Sequence, residues 1–265
     1  MTLDKDLNDE KGTKFGKLIE SISARKQSKI VLALDPDYRE DPNSLLSYAK
    51  EIITSTSEYV CAVKINFQLI LPLSLSELGS LNEHITSRGM VSIADIKLND
   101  IGNTNRIAVE YLWKAGFSAV IVNPFVGYAG GLDSVFASAR ERNKGVITLA
   151  FMSHPGAEEG YGLELKNGRE IFEVFLERAK SWSADGVIMG STRPEKIRLA
   201  KSILRGTDCK ILSPGSGAQG GSPSAALEAG ADFLIFGRSI IQSRDPKQAV
   251  TEIFHSLLPS MKEKN

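Results

Sequence analysis

The chain has little cysteine: two residues, Cys61 and Cys209, among 265. They show no CxxC spacing, which excludes a disulfide framework and a thiolate metal site of the usual kind and fits buried thiols in a reducing compartment. Long apolar runs are also missing. No segment approaches the roughly 18 unbroken apolar residues of a membrane span, and the charged stretch from Met1 to Lys11 lacks a signal-peptide core. A cytoplasmic location is therefore expected. Neither sign of charge prevails, since Lys plus Arg (32) equals Asp plus Glu (32). That balance makes nucleic acid and anionic membranes poor partners, and any anion site has to be local. No HxH, HExxH or paired Cys/His spacing marks a metal centre.

What is present is a regular alternation. Short apolar, β-branched runs occur at Ile30–Asp35, Val60–Asn66, Val91–Lys97, Ala119–Asn123, Val146–Phe151, Gly186–Gly190, Lys210–Ser213 and Phe233–Gly237. Nearly continuous apolar runs of this kind suit parallel strands buried on both faces. Amphipathic stretches lie between them, for example Ser44–Ser57, Asn103–Ala115, Gly168–Ala184 and Pro194–Leu204, the last with Thr192 as its expected cap. Eight strand–helix units predict an α/β fold, a single (β/α)8 TIM barrel over residues 13–258. A helix from Thr13 to Arg25 is placed to close the barrel floor. Residues 1–12 read as a mobile leader and 259–265 as a polar tail. The alternative, an open doubly wound sheet, lacks a GxGxxG turn after its first strand.

In a barrel, chemistry belongs at the C-terminal ends of the strands. The first three expected strands finish in charge: Asp35, Lys64, then Asp95 and Lys97. Period-two alternation puts Asp95 and Lys97 on one face, with Asp100 in the turn beyond. A lysine among carboxylates keeps its proton and can serve as a general acid. A strand-end ion pair with no chemistry explains those residues equally well. The array of four alternating charges tilts the balance toward function, because buried ion pairs rarely stabilise more than an apolar replacement.

A second signal lies at the far end. Ser213-Pro214-Gly215-Ser216-Gly217-Ala218-Gln219-Gly220-Gly221 follows the seventh run, and Gly237-Arg238-Ser239-Ile240 follows the eighth. Glycine-rich turns let backbone N–H groups approach an anion, and Arg238 can add a bidentate contact. Barrels commonly hold phosphate at this position.

Together these motifs, with Val63-Lys64-Ile65, Asp95-Ile96-Lys97-Leu98-Asn99-Asp100-Ile101 and Met152-Ser153-His154-Pro155-Gly156-Ala157, resemble the orotidine 5′-phosphate decarboxylase family in the form typical of archaea and some bacteria. The resemblance runs from about Ile30 to Ile241. It implies decarboxylation of orotidine 5′-phosphate to uridine 5′-monophosphate (UMP), the last step of pyrimidine synthesis, without cofactor or metal. It implies that Lys97 protonates C6, that Asp95 lies near the departing carboxylate, and that Lys64 and Asp35 bind the ribose hydroxyls while extending the catalytic charge array. Ser153 is implied to read the pyrimidine edge, and Gln219, Gly237 and Arg238 to hold the phosphate, with Pro214 to Gly221 as a lid. A homodimer is implied, in which Asp100, Ile101 and Thr104 complete the neighbouring site. Asn99 and Gly102 depart from the family's usual pattern beside these residues. Two other readings are weighed: a magnesium-using sugar-phosphate relative with a similar Asp-x-Lys-x-x-Asp motif, and an inert nucleotide-binding barrel.

Overall fold

The computed structural model describes residues 14–217 and 220–262. The expected leader and Gln219 lie outside them. The first half of the chain runs α1 (Lys14–Lys26), β1 (Ile30–Leu34), α2 (Pro42–Thr56), β2 (Val60–Asn66), α3 (Phe67–Ile70), α4 (Leu75–Thr86), β3 (Val91–Leu98), α5 (Gly102–Lys114) and β4 (Ala119–Val122). The second half continues with α6 (Asp133–Glu141), β5 (Gly145–Phe151), α7 (Ile171–Ser181), β6 (Gly186–Met189), α8 (Pro194–Ile203), β7 (Lys210–Pro214), α9 (Pro223–Ala229), β8 (Phe233–Phe236), α10 (Arg238–Ile241) and α11 (Pro246–Lys262). The strands form a closed parallel barrel in sequence order, with β8 pairing back onto β1. Each expected strand is present, its ends displaced by no more than one residue. This is the (β/α)8 fold.

Two apolar layers build it. Residues of one parity, such as Ile30, Leu32 and Leu34, face outward onto the helices. The other parity, Val31, Ala33, Ile93, Ile121, Ile147, Leu149 and Ile235 among them, fills the barrel interior. Phe15, Ile19 and Ile22 of α1 belong to that inner cluster, so the N-terminal helix plugs the floor as expected. Beside it Asp185, just ahead of β6, accepts the Val146 N–H at 2.8 Å and the Gly16 N–H of α1. Cys61 and Cys209 are buried free thiols. Among the described residues no helix is long and apolar enough to cross a membrane.

Three local expectations are corrected. Arg193, not Thr192, is the N-cap of α8. Pro194 occupies the first helical position and keeps the residue before it out of helical backbone, which makes Arg193 the cap. The Thr192 hydroxyl donates instead to the Ser153 carbonyl, at 3.4 Å. The expected helix from Gly168 begins at Ile171, where Glu170 and Glu173 form a reciprocal capping box. The last helix runs to Lys262, into the segment expected to be a tail.

Candidate active site

Inward parity places the charges. On β1, Val31 and Ala33 point inward, and the next position in that series is Asp35. On β2 it is Lys64, after Ala62. On β3 it is Asp95, after Val91 and Ile93. Each thus stands one layer above the apolar interior, at the C-terminal mouth. Lys64 Nζ donates to Asp95 Oδ2 at 2.6 Å and lies 3.6 Å from Asp35 Oδ1. Lys97 Nζ meets the other oxygen of Asp95, Oδ1, at 2.8 Å. The result is an unbroken chain, Asp35–Lys64–Asp95–Lys97.

Lys97 reaches this chain by an irregular route. Between the pairs Ala94–Val120 and Leu98–Val122, β3 advances four residues while β4 advances two. Lys97 itself has φ 45°, left-handed backbone for a residue with a side chain. That conformation costs on the order of 1 kcal/mol. The bulge carries Asp95 to Lys97 over the cleft, so the two share a side of the strand as alternation predicts, but through a break in the ladder.

Burial pushes the Lys64 ammonium toward neutrality, but Asp95 and Asp35 outweigh it and hold its pKa above the usual lysine value. Burial likewise pushes the Asp95 carboxyl up, and Lys64 and Lys97 together bring it below the usual range. Both groups are therefore charged at neutral pH. Asp35 Oδ1 is buried and makes no hydrogen bond among the described residues, because 3.6 Å from Lys64 is an ion-pair distance only. It leaves a fixed acceptor at the cleft.

The cleft encloses about 220 Å³. Asp35, Lys64, Asp95, Lys97, Ser153, Pro214, Gly237 and Arg238 line it above a floor of Ile121, Leu149, Ile188 and Ile235. It opens toward a second cavity of about 530 Å³, which shares Ser153 and Arg238 with it and is walled by His154, Thr192 and Arg193. Gly237 stands where an added Cβ would come within 3.3 Å of Ala33 Cβ, so its bareness lets the end of β8 lie against the end of β1. Gly217, at φ 87°, supports the turn beyond β7 in a conformation side chains disfavour. The turn that follows Ser153, Pro155–Glu159, has no side-chain cap.

Three expected site residues do not line this cleft. Asp100, Ile101 and Thr104 are exposed at the start of α5, and Ile101 has 65% of its surface in solvent. Asp100 Oδ1 accepts the Ile101 N–H at 2.7 Å, a local turn rather than a contact with Lys97. Sequence reasoning missed the residue that shapes this turn. Asn105 is fully buried, bonds the Asp100 backbone through both its amide atoms and donates to Gly131 O at 2.9 Å. Its signal was a polar residue on the apolar stripe shared with Val109 and Leu112. Asn66 and Ser216 also line the cleft and were missed. Asn66 continues the inward series after Lys64. The Ser216 hydroxyl is buried without a partner among the described residues.

Residues 28–253 match the profile of the orotidine 5′-phosphate decarboxylase/HUMPS family. The orotidine 5′-phosphate decarboxylase of Pyrococcus furiosus is 40% identical over 228 residues, covering 86% of this chain and 97% of that protein. The Methanosarcina barkeri decarboxylase is 35% identical, covering 91% and 99%. Among solved structures, the Methanocaldococcus jannaschii orotidine 5′-monophosphate decarboxylase complexed with the inhibitor BMP superposes with TM-score 0.72 at 30% identity, covering 87% of this chain and 98% of that one.

Proposed function

This chain belongs to the orotidine 5′-phosphate decarboxylase/HUMPS family, and we propose that Lys97 is the proton donor of its decarboxylase reaction. The enzyme converts orotidine 5′-phosphate to UMP and CO2 in pyrimidine synthesis, the activity named for its relatives along nearly their whole length. The observation that carries the mechanistic reading is the ion-pair chain Asp35–Lys64–Asp95–Lys97 at the cleft. Breaking the bond from C6 to the carboxylate leaves an electron pair in the ring plane, where the π system cannot take it up. Charges fixed in advance are then the means of stabilisation. The Lys97 ammonium faces that pair and transfers its proton to C6 as CO2 departs. Asp95 orients Lys97 and stands beside the leaving carboxylate.

The same cleft accounts for the rest of the substrate. Asp35, whose Oδ1 pairs with Lys64 but makes no hydrogen bond among the described residues, and Lys64 take the ribose hydroxyls. Ser153 reads the pyrimidine edge. Gly237 and Arg238 take the phosphate with Gln219, and the loop from Pro214 to Gly221 closes over it. Binding energy from the phosphate is then available at the reacting centre. We assign Asp100, Ile101 and Thr104 to the site of a second copy in a homodimer. Their exposure, continued by Ile107 and Tyr111 on α5, supports that face as the contact. A single barrel domain acting in the cytoplasm, without cofactor or metal, completes the reading.

Purified protein is expected to bleach the absorbance of orotidine 5′-phosphate at an undiminished rate in EDTA. Loss of activity in EDTA would place the chain with magnesium-using relatives, and tight UMP binding without turnover would leave an inert barrel. For the shared site, mixing Asp100→Ala with Lys97→Ala subunits should restore part of the activity that each lacks. No recovery in confirmed hybrids overturns the assignment.

A further inference from the structure

The phosphate grip stands on a short support. Arg238 begins α10, a single turn ending at Ile241. The turn is tied to its own start, since the Ile240 and Ile241 N–H groups both return to the Gly237 carbonyl, at 2.8 and 3.1 Å. One turn of helix has little stability of its own, and its position depends on what anchors it. The carbonyl of Ile241, at the end where helices leave acceptors without intrahelical donors, is held from outside. Tyr48, on α2, donates its hydroxyl proton to that carbonyl at 2.7 Å, across 193 positions of sequence.

Tyr48 is itself covered. The Arg39 guanidinium lies 4.2 Å from the centre of its ring, a cation–π contact. Arg39 comes from the loop that leaves β1 directly after Asp35. Burial raises the Tyr48 pKa, with Asp37 and Glu51 adding to the shift and Arg39 opposing it, so the hydroxyl remains a donor through the neutral range. The loop carrying Asp35 and the turn carrying Arg238 thus meet at one side chain, outside the cleft.

We propose that Tyr48, steadied by Arg39, is a positioning residue for phosphate binding: its hydrogen bond to the Ile241 carbonyl sets the placement of α10 and therefore of Gly237 and Arg238. Tyr48 touches no substrate in this arrangement. The inference rests on the assignment of Arg238 to the phosphate, and its test separates the two.

Titrations of the full chain with UMP and with uridine, which lacks the phosphate, supply the measurement. Wild type should bind UMP much more tightly than uridine, and Arg238→Ala should remove most of that gap. Equal affinities in wild type would overturn the phosphate assignment and this inference with it. Tyr48→Phe keeps the ring and its contact with Arg39 but removes the hydroxyl. It should weaken UMP about tenfold, the worth of a hydrogen bond at the strong end of the net range, while uridine affinity stays unchanged. KM for orotidine 5′-phosphate should rise more than kcat falls. Arg39→Ala should show the same pattern at about threefold. If Tyr48→Phe weakens UMP and uridine alike, the hydroxyl only supports the fold, and if it weakens neither, α10 is held by its buried isoleucines. Either outcome overturns the proposal.

Discussion

Asp95 and Asp185 are buried aspartates at opposite ends of the same barrel, and burial acts on both in the same direction. Their outcomes are opposite. At the mouth, Asp95 lies between Lys64 and Lys97, and two ammonium groups bring its pKa below the usual carboxylate value. At the floor, Asp185 faces backbone N–H groups of Val146 and Gly16, which only partly offset burial, and its pKa is pushed up to about 7. Burial alone does not decide charge; the company of full cations does. One end of the barrel keeps its charges in place by pairing them. The other seals an apolar interior with α1 and tolerates a carboxyl that gives up its charge.

The largest test of the mouth is Lys97→Ala. It removes the group with both the proton and the charge, and kcat should fall on the order of 10⁴-fold or more, while UMP still binds. Near-normal turnover would show that the bulge at Lys97 serves structure and not catalysis. Next in size is Asp95→Ala, which leaves the buried Lys64 ammonium with Asp35 alone. Unfolding in urea should show a loss of about 3 kcal/mol near neutral pH. Because the folded-state pKa of Asp95 is depressed, its contribution is present above the ordinary value of 3.8 and is lost as pH falls through the folded value. The gap between wild type and variant should therefore close on strong acidification. A gap that persists there would mean that the carboxylate charge is not what stabilises the mouth.

The third test belongs to the floor. The folded-state pKa of Asp185 lies above the unfolded one, so the stability it contributes is full below pH 3.8 and is lost as pH rises through about 7. Asp185→Asn keeps an acceptor for the Val146 N–H and cannot ionise. The variant should gain on wild type steadily between pH 4 and 7 in urea unfolding, and level off above. A pH-independent difference would mean that the floor carboxyl is as well compensated as the one at the mouth, and the contrast between the two ends would disappear.

The barrel was legible because parallel strands buried on both faces leave continuous apolar runs, and those runs locate every strand to within one residue. Helix ends were less legible. Thr192 looks like a cap by residue type, and only the backbone at Arg193 and Pro194 moves that role one position on. In the site, Asp35, Lys64, Asp95 and Lys97 were visible as charges terminating apolar runs, where an unpaired charge would be costly. Asn105 and Tyr48 were not, since an asparagine or a tyrosine in an amphipathic helix has many ordinary uses. Their partners, Gly131 and Ile241, are distant in sequence.

Strand order, the inward parity that raises three charged residues to the mouth, and the glycine-rich turns after β7 and β8 follow from the sequence alone. These are local properties, set by side-chain alternation and backbone sterics. Tertiary structure alone decided that Lys64 and Lys97 divide the two oxygens of Asp95, that a bulge with left-handed backbone delivers Lys97, and that Tyr48 reaches α10. Those outcomes depend on the register between neighbouring strands and on where closure of the barrel brings its last strand against its first, quantities that no single segment of the chain contains.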